Sequence, residues 1–146
     1  MTEFLDDRPP MSFWFVSGVA LIWNLLGFYA YLDQVTASPE KLANAFSPEQ
    51  IAILQSMPKW ATSAFAIAVT TGVLGSLCLL FRKAWAVPLF VISLIAVLIE
   101  DVNSFVLNDM LAVFGRIPAI IQAAVLVIGI ALILYSRYAK GRRWLR

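Results

Sequence analysis

Apolar positions along this 146-residue chain gather into four long runs separated by short polar stretches. The runs occupy residues 12–32, 60–81, 85–104 and 117–136. Each is close to the ~20 residues that a helix rising ~1.5 Å per residue needs to cross a hydrocarbon core of ~30 Å. The pattern predicts an all-α, integral membrane four-helix transmembrane bundle in a single domain over 1–146. Residues 33–58 are more polar and contain two matching helix starts, Ser38-Pro39-Glu40 and Ser47-Pro48-Glu49. Serine caps free amides, proline suits the first helical position, and glutamate complements the helix dipole. Two short helices are therefore expected in this loop. Residues 105–115 are amphipathic and too short to cross; they either extend the third helix or fold along the surface.

Spacing within the runs assigns faces. In the first, Ser17, Ala20, Asn24, Gly27 and Tyr31 recur at intervals of three and four, a small and polar face that should meet other helices. Asn24 falls near mid-span, where an unpartnered amide is costly, so it is expected to bond across a helix interface. In the second, Ala64, Ala68, Gly72 and Ser76 repeat at every fourth position. Such a stripe lets a neighbouring backbone approach closely, within the chain or between copies. In the third, Ser93, Ala96, Glu100, Asn103 and Ser104 share a polar face, and Asp101 is rotated by about 100° from it. Glu100 and Asp101 are thus not a dyad sharing one proton. In the fourth, Gln122 and Gly129 lie seven residues apart on one side.

Composition narrows the function. Hydrophobic residues make up 61% of the chain, charged residues 14%, and the mean hydropathy is +0.82, whereas a soluble domain keeps roughly a quarter of its residues charged. The surface must largely face the lipid bilayer. Net charge is only +2, with five of eleven basic residues after Ser136, which argues against a nucleic-acid binder and for a local membrane-surface effect. There is no histidine and one cysteine, Cys78. An internal disulfide and the His- or Cys-rich metal and haem sites are excluded, so no metal site and no cofactor are expected. Phosphate loops, nucleophile elbows and zinc signatures are missing from the sequence. No catalytic residue is assigned, and the chain is not expected to be an enzyme.

Residues 1–11 carry Glu3, Asp6 and Asp7 against Arg8, unlike the positive start of a secretory signal, so the first run is expected to persist as a helix. Counting lysine and arginine by loop places eight on the side of Arg8, the 82–83 hinge and the tail 137–146. Three, Lys41, Lys59 and Arg116, fall on the other side. Both termini are expected in the cytoplasm, with the helical loop 33–58 outside. Arg137, Lys140, Arg142 and Arg143 are expected to contact lipid headgroups, with Tyr135, Tyr138 and Trp144 at the interface.

This topology brings Glu100, Gln122, Asn24 and Ser63 into one candidate polar pocket opening outward, with Thr62, Asp33 and Gln34 near its mouth. The inner half holds mostly Leu, Val, Ile and Ala, so no continuous polar path is expected. Burial in apolar surroundings disfavours the ionised form of a carboxyl and allows proton exchange near neutral pH, which would make Glu100 a proton- or cation-linked binding group. Its plain alternative is an acid at headgroup level, solvated or paired with Lys59 or Arg116.

Pro58-Lys59-Trp60 and the following run FAIAVTTGVLGSLCLLFRKAWAVPLFVISLIAVLIED, with Ile22-Trp23-Asn24-Leu25 before it, resemble small four-helix bacterial inner-membrane proteins loosely labelled sugar-transporter-like. The resemblance implies a bacterial inner-membrane location. Two functions are expected from these features. One is a non-catalytic accessory subunit that packs through its small-residue faces, as a homo-oligomer or within a larger membrane complex. The other is a small oligomeric solute transporter with a proton-linked outer site at Glu100. A membrane enzyme acting on lipid comes third.

Overall fold

The computed structural model describes residues 7–146; the acids Glu3 and Asp6 noted above lie outside the described residues. Four helices are long and apolar enough to cross a membrane. They are α1 (Met11–Thr36), α4 (Lys59–Leu80), α5 (Ala86–Asp101, prolonged by a π-helical turn over Val102–Leu107) and α7 (Arg116–Gly141). Between α1 and α4 lie α2 (Pro39–Ala45) and α3 (Pro48–Gln55), and α6 (Met110–Phe114) precedes α7. In an apolar medium only such internally bonded segments keep every backbone polar group satisfied.

Both loop helices start where serine and proline require. Ser38 Oγ accepts the Lys41 amide at 3.2 Å, and Ser47 and Gln50 form a reciprocal capping box. The segment after α5 takes the first of the two courses its sequence allowed for part of its length. It continues the helix to Leu107, then reverses at Asp109, whose φ is 46°, into α6. Asn108 Nδ2 donates to Asn103 O at 2.7 Å, closing the wide turn five residues back.

The long helices pack in the order α1, α4, α5, α7, with α4 against both α1 and α5 and α5 against α7. The small-residue stripe of α4 is consumed inside the chain: Ala64, Ala68, Gly72 and Ser76 are all buried. The small face of α1 meets α4 as its spacing predicts. Ser17 and Ala20 are buried, Gly27 faces Val69, and the Tyr31 ring stands edge-on to Phe65 at 5.3 Å. Gly129 of α7 sits under Leu94 of α5.

The end holding the 82–83 hinge and the chain's last residues, here the tail end, is closed. Phe81 and Arg142 are followed by Arg82 (φ 59°) and Arg143 (φ 61°), and each helix ends in a Schellman motif. The 6→1 bonds are Lys83 N to Cys78 O (2.7 Å) and Trp144 N to Ala139 O (3.0 Å). Arginine therefore occupies two left-handed positions where glycine is usual. The hinge and the tail then pair, through Ala84 N to Arg146 O (2.9 Å) and Arg146 N to Arg82 O (2.8 Å). Arg82 adds two clamps, Nε to Trp144 O at 2.8 Å and a guanidinium NH2 group to Asp7 O at 2.7 Å.

That pairing corrects the reading of Trp144 as an interfacial anchor. Its indole is 6% exposed and packs edge-on against Phe13 at 5.8 Å, in a core that includes Leu79, Phe90, Leu132 and Leu145. The backbone pairing pulls the tail inward and leaves the charges outside. Tyr135 also turns inward, stacking on Phe13 at 6.4 Å, whereas Tyr138 is exposed. Arg137, Lys140, Arg142 and Arg143 are exposed at this end, with Arg142 over the Trp144 ring at 5.9 Å.

Candidate functional site

At the opposite end, which carries α2, α3 and α6 and is here called the loop end, α1 and α7 diverge from their aromatic clamp and do not pack along their length. The divergence leaves a cavity of about 400 Å³ bounded by α1, α4, α5 and α7, with α6 at its edge. Such a volume lies in the range of small-molecule sites.

Three of the four predicted pocket residues meet there: Asn24 from α1, Glu100 from α5 and Gln122 from α7. The fourth, Ser63, does not. It is exposed on α4 and absent from the cavity wall. It precedes Ala64 of the buried stripe by one residue, so helical geometry rotates it about 100° away from the interior. Of the residues expected near the mouth, Gln34 lines the cavity and donates to Met57 Sδ at 3.6 Å. Thr62 is not part of the wall, and Asp33 is engaged outside it in an ion pair with Lys41. That pairing, a hydrogen bond first of all, holds the exposed Lys41 ammonium above its ordinary pKa.

Asn24 is fastened to the cavity floor by two donated bonds, to Ala20 O at 2.8 Å and to Ser76 Oγ at 2.9 Å, and the Ser76 hydroxyl in turn donates a hydrogen bond to Gly72 O at 2.9 Å. Gly72 is required here, because a Cβ would overlap Asn24 Oδ1 and lie 3.3 Å from Ser93 Oγ. Ser93, on the predicted polar face of α5, donates to Ala68 O at 2.7 Å and lines the same floor. Below it, a smaller void of about 40 Å³ reaches Phe90, Gly129 and Leu132 and stops at the tail-end core. The polar lining does not continue through that core.

Glu100 is half-buried. Its Oε1 accepts the Ser104 hydroxyl at 2.5 Å, and no ion pair joins it to Lys59 or Arg116. Asp101 is rotated away from that face, as the helical spacing predicts, and its Oδ1 is buried without a hydrogen-bond partner among the described residues. Gln122 of α7 lines the cavity with Glu100. The rest of the wall is mainly apolar and aromatic, with Trp23, Phe65 and Phe105. Sequence reasoning left these rings out of the pocket because nothing local distinguishes a cavity-lining ring from a packed one.

Access to the cavity is asymmetric. At the loop end a layer forms from α3 and α6, in which Gln50 Nε2 donates to Val113 O at 3.3 Å and the Phe46 and Phe114 rings meet at 6.1 Å. On the side, Leu26 of α1 and Ile121 of α7 line the cavity yet are 60% and 55% exposed, so the gap between these helices opens laterally. Among the described residues no group of three or more His, Cys, Asp or Glu could hold a metal ion. Comparison with protein-family models, with curated proteins and with solved structures returns no match to this chain.

Proposed function

We propose that this chain is a small carrier of the bacterial inner membrane, with its tail end cytoplasmic, that binds a solute in the cavity between α1 and α7 and holds it through Glu100. The observation that supports this reading most is convergence: Asn24, Glu100 and Gln122 come from three helices and border one cavity of about 400 Å³. Buried polar groups are expensive in an apolar medium, so three on one void favour a ligand that uses them. Asn24, whose amide hydrogens are already donated to Ala20 O and Ser76 Oγ, sets the floor, Gln122 supplies an orienting amide and Glu100 the single charge.

Proton coupling at Glu100 is part of the proposal. No other titratable side chain from α1, α4, α6 or α7 borders the cavity, and Asp101, the next residue on its own helix, is not part of the wall. The test uses proteoliposomes with a trapped pH dye, screened with sugars, polyols and amines. A solute-evoked pH change that disappears in Glu100→Gln is expected. A change of equal size in the variant would remove Glu100 from the mechanism, and silence towards every solute would count against a carrier.

A non-catalytic subunit packed against copies of itself or within a larger assembly ranks second. The α4 stripe, one of the small-residue faces through which it was expected to pack, is covered by α1 and α5. What favours it is the exposed apolar surface of α1 and α7. A stoichiometric partner recovered in mild detergent would move it ahead.

A further inference from the structure

We propose that the ligand of this cavity is a monocationic amphiphile that reaches it sideways from the lipid. The ammonium head would rest at Glu100 and the alkyl chain in the gap between α1 and α7. The inference rests on the carrier reading above for the existence of a ligand, and it adds the ligand's class and route.

The charge argument comes first. The cavity wall holds one carboxylate, three amides and two hydroxyls, and no lysine or arginine; the chain has no histidine. A phosphate or carboxylate head would find no cation there and would face Glu100 in a medium of low dielectric. A quaternary or primary ammonium meets the opposite conditions. Glu100 Oε1 is held by Ser104, and among the described residues none donates a hydrogen bond to Oε2. Trp23, Phe65 and Phe105 border the same void, and aromatic rings attract a desolvated cation.

The route follows from where the walls are missing. At the loop end α6 borders the cavity with α3 packed against it, and the aromatic core closes the tail end. The lateral gap is edged by Leu26 and Ile121, both apolar and more than half exposed. A solute crossing that edge leaves hydrocarbon, not water, so it must already partition into lipid. A hydrophilic polyol has no reason to be there.

The test places the full chain in nanodiscs of zwitterionic lipid, with empty discs as baseline, and titrates dodecyl chains brominated at the far end. The heads compared are trimethylammonium, glucoside and carboxylate. Saturable quenching of tryptophan fluorescence by the trimethylammonium probe is expected, reduced in Trp23→Phe. Glucoside and carboxylate probes should bind at least ~10-fold more weakly, and Glu100→Gln should weaken the cation by about tenfold or more. Glu100→Asp, which keeps the charge, should stay within a few-fold of the native chain and so separates loss of charge from loss of fold. Glucoside binding as tight as the cation and unaffected by Glu100→Gln would overturn the cationic class while leaving a ligand-binding cavity. Competition by tetramethylammonium at equal concentration would overturn the amphiphile and its lateral route. Absence of saturable quenching by any head would overturn this inference, while the carrier reading stands or falls on the proteoliposome screen.

Discussion

Gly72 sits where α1, α4 and α5 come closest, directly under the Asn24 amide. Changing it to alanine tests whether that polar node holds the floor of the cavity. The new Cβ would fall on Asn24 Oδ1 and lie 3.2 Å from Asn24 Cγ and 3.3 Å from Ser93 Oγ. Overpacking a close-fitting site typically costs about 1–3 kcal/mol. Displacing Asn24 also breaks its bond to Ser76, worth on average ~0.6 kcal/mol between membrane helices. Against this, alanine is the better helix former by up to ~1 kcal/mol. The net expectation for Gly72→Ala is a loss of about 1–3 kcal/mol. Gly18→Ala is the internal control, since nothing lies within 4 Å of its added Cβ; it should be neutral or stabilising by up to ~1 kcal/mol. Reversible unfolding in mixed micelles, followed by circular dichroism, measures both. A Gly72→Ala chain as stable as the native one would refute the packing argument, because the helix-forming gain alone would then describe both sites.

The tail-end closure makes contrasting predictions for two arginines in the same backbone conformation. Arg82→Ala removes two charge-assisted bonds, to Trp144 O and Asp7 O, and should lower stability by about 2 kcal/mol in the same unfolding assay. Arg143→Gly removes an exposed side chain at φ 61°, so it should leave stability unchanged or raise it by up to ~1 kcal/mol. Trp144→Ala empties a buried site beside Phe13 and Tyr138 and should cost about 3–5 kcal/mol, read as a lower unfolding midpoint.

Much of the architecture is legible in the order of residues because helix formation and helical periodicity are local. Apolar runs of spanning length can only be helices where water is absent. Ser-Pro-Glu places the starts of α2 and α3 through contacts within one turn. The spacing of Ser17, Ala20 and Asn24, and of Ala64 through Ser76, marks the faces that do pack. The same spacing separates Glu100 from Asp101 and brings Glu100, Asn24 and Gln122 to one cavity once depth is estimated.

Tertiary structure decided what depends on how the helices are set against each other. Ser63 shares the depth of the pocket residues but not their azimuth. Trp144 looked like an anchor until the pairing of residues 82–84 with Arg146 drew it into the core. The sequence leaves residues 105–115 either extending the third helix or lying along the surface, and only the folded chain shows the π-helical turn that carries the helix to Leu107. Above all, nothing in the run of residues announces that α1 and α7 meet at Phe13 and Tyr135 and then part. Axis directions follow from contacts between residues more than a hundred positions apart. Those contacts, and the lateral opening they leave beside Glu100, exist only after the helices have packed.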